Sequence, residues 1–230
     1  MFHRTLDNRP RELFKGLNSW NVMDEKISEL IGIIIGDGNL DNCQKHYRIG
    51  ITGDPINDKE YFFYIQSLIK KIWNKDVKIA HRGLGIRIVV NSKSAFAEIT
   101  QKYGLPIGEG KCHKVIIPKV IEKDWNHAKH TIRGIVDTDG SIFVANKSGC
   151  PNYPSIEITT TSIKLAEQLR SILLSNGFRV ANIWCDRPRT PNSLPSYKVP
   201  LNGKENVRKW LDEIGFSNPV KRRKAEKAIH

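Results

Sequence analysis

The sequence predicts an α+β protein built from two pseudo-symmetric αββαββα halves. The first observation is an internal repeat: LIGIIIGDG at 30–38 returns as IRGIVDTDG at 132–140, which places Asp37 and Asp139 102 residues apart. The second is that an alternating apolar and polar stretch, typical of a strand, follows each copy and leads into a helical stretch. The third is a seam rich in Pro and Gly, GLPIGEG at 104–110, between the copies.

Each motif copy is predicted to be the C-terminal part of a helix. Asp24 and Asp124 are suitable N-caps, because a carboxylate accepts hydrogen bonds from the first helical amides. The helices end at Gly38 and Gly140. At Gly38 we expect the left-handed conformation that glycine adopts without strain.

The remaining elements repeat in the same order in both halves. Strands are predicted at 47–52, 77–79 and 85–90, and again at 155–160, 178–185 and 197–201. Helices are predicted at 58–73 and 94–103, and again at 162–176 and 204–214. The halves therefore span 25–103 and 124–217 with a linker at 104–123, between an N-terminal extension at 1–23 and a basic C-terminal tail at 218–230.

The charge of the chain favours a polyanionic partner. The 230 residues hold 37 Lys and Arg against 24 Asp and Glu, a net charge of +13, which points to nucleic acid rather than a membrane surface. No apolar stretch approaches the roughly 18 residues of a membrane span, and residues 1–14 lack the pattern of a secretory signal. Four cysteines without a C-x-x-C pair are expected to be free thiols. We therefore expect an intracellular protein, cytoplasmic in a prokaryote or located in an organelle.

Small residues four apart give each motif helix a smooth face. Gly32 and Gly36 lie on the first helix, and Gly134 and Thr138 on the second. A glycine inside a helix costs about 1 kcal/mol relative to alanine, and close helix packing would offset this cost. We therefore expect the two helices to pack along these faces, which brings their C-terminal ends together.

This packing would place Asp37 beside Asp139 at two helix C-termini that each carry roughly −0.5 charge. A shared cation would stabilise such an arrangement, and oxygen ligands without Cys or His suit Mg²⁺. The alternative is that each Asp merely ends its helix in an Asp-Gly turn. Asp137 is rotated by about 200° from Asp139 on an ideal helix, so we interpret it as a local polar contact.

The motif pair, with the order of elements after it, resembles the single-chain LAGLIDADG homing endonucleases over residues 25–217. The resemblance implies two antiparallel sheets that form a saddle over DNA, with the motif helices packed at the centre. It also implies that Asp37 and Asp139 are metal ligands, assisted by the backbone carbonyls of Gly36 and Thr138.

The reaction implied by the resemblance is hydrolysis of one phosphodiester per strand by a metal-activated water. Family sites place a basic residue near each scissile phosphate. Lys111 is the candidate in the first half, with Lys114 as the alternative. An alignment of GLP at 104–106 with GFS at 215–217 puts Arg222 opposite Lys111, with Lys221 adjacent.

One departure from the family lies at the end of the first strand of each half. Gln or Lys is frequent there, where this chain has Gly53-Asp54 and Thr160-Thr161. This departure weakens the inference that these positions order water as the family's Gln or Lys does, although Thr160 could still hold a water molecule.

Base contacts are expected from the sheet residues whose side chains point away from the core. Alternation predicts that these are Arg48, Gly50, Thr52, Arg87, Ser155, Glu157, Thr159 and Lys198. Phosphate contacts are expected from Arg82, Arg187 and Arg189.

The function predicted from these residues and the resemblance is that of a monomeric, Mg²⁺-dependent, site-specific endonuclease. It would cut double-stranded DNA across the minor groove at a long target that is at best weakly palindromic, and leave 3′ overhangs. The termini favour a free-standing, intron-encoded protein over an intein. The alternatives are an intron maturase that binds RNA and a DNA-binding regulator that does not cleave.

Overall fold

A computed structural model describes residues 24–42, 46–108, 110–147, 149–188 and 194–230. Its first half begins with the helix that carries the first motif. The elements are α1 (Glu25–Asp37), β1 (Gly38–Asp41), β2 (Arg48–Gly53), α2 (Lys59–Trp73), β3 (Ile79–Arg82), β4 (Gly85–Asn91) and α3 (Lys93–Ala97), which continues as a π-helical turn at Glu98–Lys102. Two short helices, α4 (Lys111–Lys114) and α5 (Lys119–Glu122), lie in the linker.

The second half repeats this order. Its elements are α6 (Trp125–Asp139), β5 (Gly140–Lys147), β6 (Cys150–Thr160), α7 (Ile163–Ser175), β7 (Trp184–Asp186), β8 (Ser196–Asn202) and α8 (Lys204–Glu213). As predicted, Asp24 and Asp124 cap the two motif helices, and their carboxylates accept hydrogen bonds from Lys26 N and Asn126 N.

The two sheets have the same topology. The first is antiparallel in the order β1-β2-β4-β3, and the second is antiparallel in the order β5-β6-β8-β7. The predicted α+β class with two pseudo-symmetric halves is therefore confirmed. Within the described ranges, no helix has both the length and the apolar character that crossing a bilayer requires.

The predicted strand at 178–185 is much shorter in the structure. Only Trp184–Asp186 forms a strand, and Val180 adds a single bridge to Leu201. The reason is that the side chain of Asn206 makes the hydrogen bonds with the backbone of Arg179 that a neighbouring strand would otherwise make. The Asn206 amide accepts from Arg179 N at 3.0 Å and donates to Arg179 O at 2.7 Å, so this segment is satisfied outside the sheet.

The residues predicted as a basic tail form a packed helix, α9 (Pro219–Ile229). Asn218 caps it, and Ala225 and Ala228 are buried against α8 and β5. Arg223 reaches the first half through an ion pair of 3.0 Å with Glu60 on α2. Helix α9 therefore contacts both halves close to the motif helices.

Candidate active site at the ends of the motif helices

The motif helices pack with their backbones in direct contact. A Cβ atom added at Gly32 would lie 2.0 Å from Thr131 O, and one added at Gly134 would lie 2.3 Å from Glu29 O. These distances leave no room for a methyl group. The prediction that the small faces of α1 and α6 pack together is confirmed.

The contact continues to the last turn of both helices. A Cβ atom at Gly36 would lie 2.0 Å from Thr138 Oγ1 and 3.2 Å from Asp139 Oδ2. The Thr138 hydroxyl donates back to Gly134 O at 3.0 Å, which holds its side chain against the helix. The Asp139 carboxylate therefore lies beside the turn that carries Asp37.

The glycines that follow the aspartates do not adopt the conformation expected for Gly38. Gly38 has φ −84° and ψ 153°, and Gly140 has φ −86° and ψ 154°, so both are extended and each begins a strand directly. Glycine is needed here for space, because an added Cβ would lie 2.5 Å from Ile34 O or Val136 O. This direct transition creates β1 and β5, the first strand of each half, which alternation did not delimit.

Lys221 lies at the C-terminal end of α6, whereas the alignment of the halves had favoured its neighbour Arg222. Its Nζ donates to Val136 O at 2.8 Å and to Thr138 O at 2.9 Å. Burial lowers the pKa of Lys221, whereas nearby carboxylates raise it, namely those of Asp137, Asp58, Asp37 and Asp139. One ammonium group therefore neutralises part of the negative charge that the helix end and four carboxylates create.

Asp137 makes the local polar contact that its rotation on the helix predicts. It is buried, its Oδ2 accepts from Ser217 N at 2.8 Å, and its backbone carbonyl accepts from Asn218 Nδ2 at 3.3 Å. Burial raises the pKa of Asp137 to about 7, against the lowering effects of the Ser217 N–H and Lys221. This carboxylate joins α6 to the segment that leads into α9.

The two predicted basic residues do not occupy equivalent places. Arg222 is exposed and pairs with Glu226 at 2.9 Å, while the backbone of Lys111 lies in α4 and Lys114 is exposed. The contacts at the start of α7 and of α2 indicate which residues of the two halves correspond. At α7, Ser162 Oγ donates to Val115 O at 3.0 Å, and at α2, Asn218 Nδ2 donates to Asp58 Oδ1 at 3.4 Å. Lys111 thus precedes the segment that crosses between halves, and Arg222 follows it.

The residues at the helix ends suit a divalent cation whose coordination is completed by a substrate. In the described part of the chain, no group of three or more His, Cys, Asp or Glu side chains is arranged to hold an ion. The predicted ligands are the carboxylates of Asp37 and Asp139 and the carbonyls of Gly36 and Thr138, and Thr138 O already accepts a hydrogen bond from Lys221. Mg²⁺ typically binds one or two carboxylates and takes its other ligands from water and phosphate.

A cavity of about 350 Å³ opens next to Asp139 at the end of α6. Its walls are Ile35, Gly36, Val115, Asp139, Thr159, Thr160 and Thr161. Thr160 Oγ1 accepts from Ser162 N at 3.2 Å. The cavity therefore offers threonine side chains and space for a small molecule such as water beside Asp139.

The outward face of the first sheet is strongly basic. Arg48, Arg82 and Arg87 line a groove of about 470 Å³ together with Lys78. Gly50 is covered by Arg87, and Thr52 is exposed.

The outward face of the second sheet is different. Ser155 was expected to be exposed, yet it is buried because it lies against Asn202, whose Oδ1 accepts from Ser155 Oγ at 2.8 Å. Lys198 pairs with Glu157 at 3.3 Å, and Thr159 is half-buried. Arg187 is exposed, whereas Arg189 lies outside the described residues.

Comparisons with known proteins agree with this geometry. The family model of the LAGLIDADG-like domain matches residues 128–215. The structure of I-DmoI in complex with DNA and Ca aligns over 90% of this chain and 98% of that chain, with a TM-score of 0.61 at 18% identity. The homing endonuclease I-WcaI bound to its DNA recognition sequence aligns over 90% and 88%, with a TM-score of 0.60 at 16% identity.

A third structure carries the same fold under another name. The N-terminal LAGLIDADG domain of WhiA covers 83% of this chain and 82% of that chain, with a TM-score of 0.51 at 17% identity. The fold and the contacting acidic helix ends define a two-repeat saddle protein. Residues 128–215 match the LAGLIDADG-like domain, and the chain has the two-repeat fold of I-DmoI and I-WcaI with one motif in each half.

Curated relatives match this chain within much longer sequences. The replication factor C small subunit of Methanocaldococcus jannaschii is 31% identical over 218 residues, which are 94% of this chain and 10% of the relative. That of Thermococcus kodakarensis is 27% identical over 209 residues, which are 90% of this chain and 21% of the relative. The chain therefore spans only a tenth to a fifth of these relatives.

Proposed function

We propose that this protein is a site-specific endonuclease that hydrolyses one phosphodiester in each strand of double-stranded DNA. The observation that carries the proposal is the contact between the ends of α1 and α6, with an aspartate on each helix. The net charge of +13 and the basic face of the first sheet support a DNA partner. The structures of I-DmoI and I-WcaI with DNA support it further, as proteins of the same fold.

A divalent cation is the proposed cofactor, and we propose Mg²⁺ as the physiological one. I-DmoI has been solved in complex with DNA and Ca and in complex with DNA and Mn, and a variant of it with DNA in the presence of Mg. Asp37 and Asp139 would hold the ion, with the carbonyls of Gly36 and Thr138. When bound, it supplies the positive charge that activates water and stabilises the leaving 3′ oxygen.

The residues of the chain itself perform the other tasks. Gly32, Gly36 and Gly134 let the helices approach, so that both acidic ends fit between two neighbouring phosphodiesters. Lys221 offsets the charge of the α6 end before DNA arrives. Each cut consumes one water molecule and leaves a 5′-phosphate and a 3′-hydroxyl.

The spacing of the site determines the proposed products. Two acidic groups on contacting helix ends can reach both strands only across the minor groove, where the nearest phosphates are staggered in the 3′ direction. We therefore propose short 3′ overhangs. One chain carries both halves, so we propose that a monomer makes both cuts. The halves differ at their sheet faces, so the target is long and at best weakly palindromic.

The decisive experiment incubates the purified protein with a DNA substrate. In this substrate, the two sequences that flank the insert encoding the protein are joined directly, without the insert. The reaction contains Mg²⁺ or EDTA, and both product ends are sequenced. We expect double-strand cuts with 3′ overhangs in Mg²⁺ only. Binding without cleavage in Mg²⁺ and Mn²⁺ would favour a regulator, and preferential binding of intron RNA would favour a maturase. Blunt ends or 5′ overhangs would exclude the shared central site.

A further inference from the structure

The two sheets can be compared position by position, because their ladders start in the same register. Gly38 pairs with Ile51 in the first sheet, and Gly140 pairs with Ile158 in the second. Counting from these pairs, each outward residue of β2 has an equivalent in β6. Arg48 corresponds to Ser155, and Gly50 corresponds to Glu157.

The same counting extends to the outer strands. Thr52 and Thr159 are equivalent, and they pair with Arg87 and Lys198 respectively. On the next strand, Arg82 pairs with Gly85 and Asp186 pairs with Ser196, so Arg82 and Asp186 are also equivalent. At three of these five positions the first sheet has the more positive residue, and at the other two the charges are equal.

The arginines of the first sheet lie close together, and Asp41, which lies 3.8 Å from Arg48, offsets only part of their charge. Arg87 lies over Gly50, where an added Cβ would be 2.5 Å from its Nη2. Its Nε is buried and has no hydrogen-bond partner among the described residues. Burial lowers the pKa of Arg87, and the charges of Arg82 and Arg48 lower it further. An approaching polyanion would relieve this repulsion.

The cation of the second sheet is already neutralised. Lys198 lies 3.3 Å from Glu157, the residue that takes the place of Gly50. Beside it on β7, Trp184 pairs with Lys198 in the ladder and is 68% exposed. This face therefore offers an apolar surface and a closed ion pair where the first sheet offers three arginines.

We propose that the two halves bind their half-sites unequally, with the first sheet as the anchor that carries most of the affinity. This inference rests on the proposed DNA-binding function and adds to it the chemistry of each half-site. The first sheet takes a half-site with guanine at the position facing Arg87 or Arg48, because guanidinium donors match the two major-groove acceptors of guanine. Arg82 takes a phosphate at the edge of this surface. The second sheet selects by shape and apolar contact and adds little electrostatic attraction.

Matched variants at the equivalent positions test the proposal. Arg87→Gln removes the central cation of the first sheet, and the double variant Glu157→Gln/Lys198→Gln removes the ion pair of the second. Binding is measured by fluorescence anisotropy in Ca²⁺ on duplexes selected from a randomised pool, at several salt concentrations. We expect Arg87→Gln to weaken binding about tenfold or more and to relax the selection of guanine in this half-site. The loss of affinity in the double variant should be at least about fivefold smaller than the loss in Arg87→Gln.

A third variant tests the position of Arg87 rather than its charge. Gly50→Ser keeps all three arginines but displaces the Arg87 side chain, so it should relax the selected guanine while the salt dependence remains. The pool selected by the parent protein should show defined bases in one half-site and weak preference in the other.

The outcomes separate this inference from the proposed nuclease function, because the assay needs no cleavage. Equal losses in the two sheet variants, or equally defined half-sites, would overturn the unequal binding even if the protein cuts DNA. Unequal losses in a protein that never cuts would support the inference and overturn the nuclease. A protein that binds no duplex at all would contradict both.

Discussion

Lys221 Nζ donates a hydrogen bond to the backbone carbonyl of Thr138 at 2.9 Å, across 83 residues of chain. This contact joins helix α9 to the last turn of the second motif helix. Thr138 also touches Gly36 on the first motif helix, so the three segments meet within one turn of Asp139. The end of the motif is therefore supported by a helix that lies outside both repeats.

Removing the charge of either motif aspartate should abolish cleavage. We expect Asp37→Asn and Asp139→Asn to lower the rate of double-strand cutting about 1000-fold or more, because a bound metal supplies several kcal/mol of transition-state stabilisation. Binding should persist or strengthen slightly, since a negative charge near phosphates is lost. Asp76→Asn, on an exposed side chain paired with Lys70, is the control and should cut normally. Substantial cutting by either motif variant would refute the ligand assignment.

Neighbouring basic residues on α9 should differ sharply in their effect on stability. Lys221→Met leaves two carbonyls and several carboxylates without their cation, and we expect a loss of about 3 kcal/mol in the free energy of unfolding. Arg222→Gln removes only an exposed pair with Glu226 and should cost less than about 1 kcal/mol. Urea unfolding in EDTA and in Ca²⁺ measures both, and Ca²⁺ should reduce the loss in Lys221→Met. Similar small losses in the two variants would show that Lys221 is not a structural cation.

A methyl group between the motif helices should be poorly tolerated. Gly32→Ala would place Cβ 2.0 Å from a backbone oxygen, so the helices must separate, and we expect a destabilisation of about 3 kcal/mol. Gly85→Ala is the control, because its added Cβ would have its nearest contact at 3.3 Å, and it should cost less than about 1 kcal/mol. Thermal unfolding compares the two. An unchanged melting temperature in Gly32→Ala would contradict the backbone contact.

The buried carboxyl of Asp137 should impose a pH dependence on stability. Its pKa rises from 3.8 to about 7 on folding, so the folded state binds a proton more tightly than the unfolded state. Its contribution to stability is therefore fully present below about pH 4 and is lost as the pH rises through about 7. Relative to Asp137→Asn, the parent protein should become less stable across this window. His130, whose pKa is lowered to about 4 by burial, is not shifted by Asp137, so its contribution cancels in the difference between the two proteins. A constant difference between pH 4 and 7 would contradict the raised pKa.

Local sequence determined most of the elements and the pairing of the halves. The carboxylates of Asp24 and Asp124 cap the helices that were predicted to begin there, because N-capping depends on one side chain and the next few amides. The small faces of the motif helices also follow from the sequence, since glycine four residues apart always lies on one side of a helix. The repeat then implies that the halves meet through these faces.

Tertiary structure decided which charged residues lie together. Lys221 is one of four consecutive basic residues, and nothing local distinguishes it from Arg222, yet its partners are carbonyls 83 and 85 residues away. The exposure of Ser155 also depended on Asn202, a neighbour from another strand. Periodicity specifies the face on which a side chain lies, but the residues that cover or neutralise it come from distant segments whose positions only packing determines.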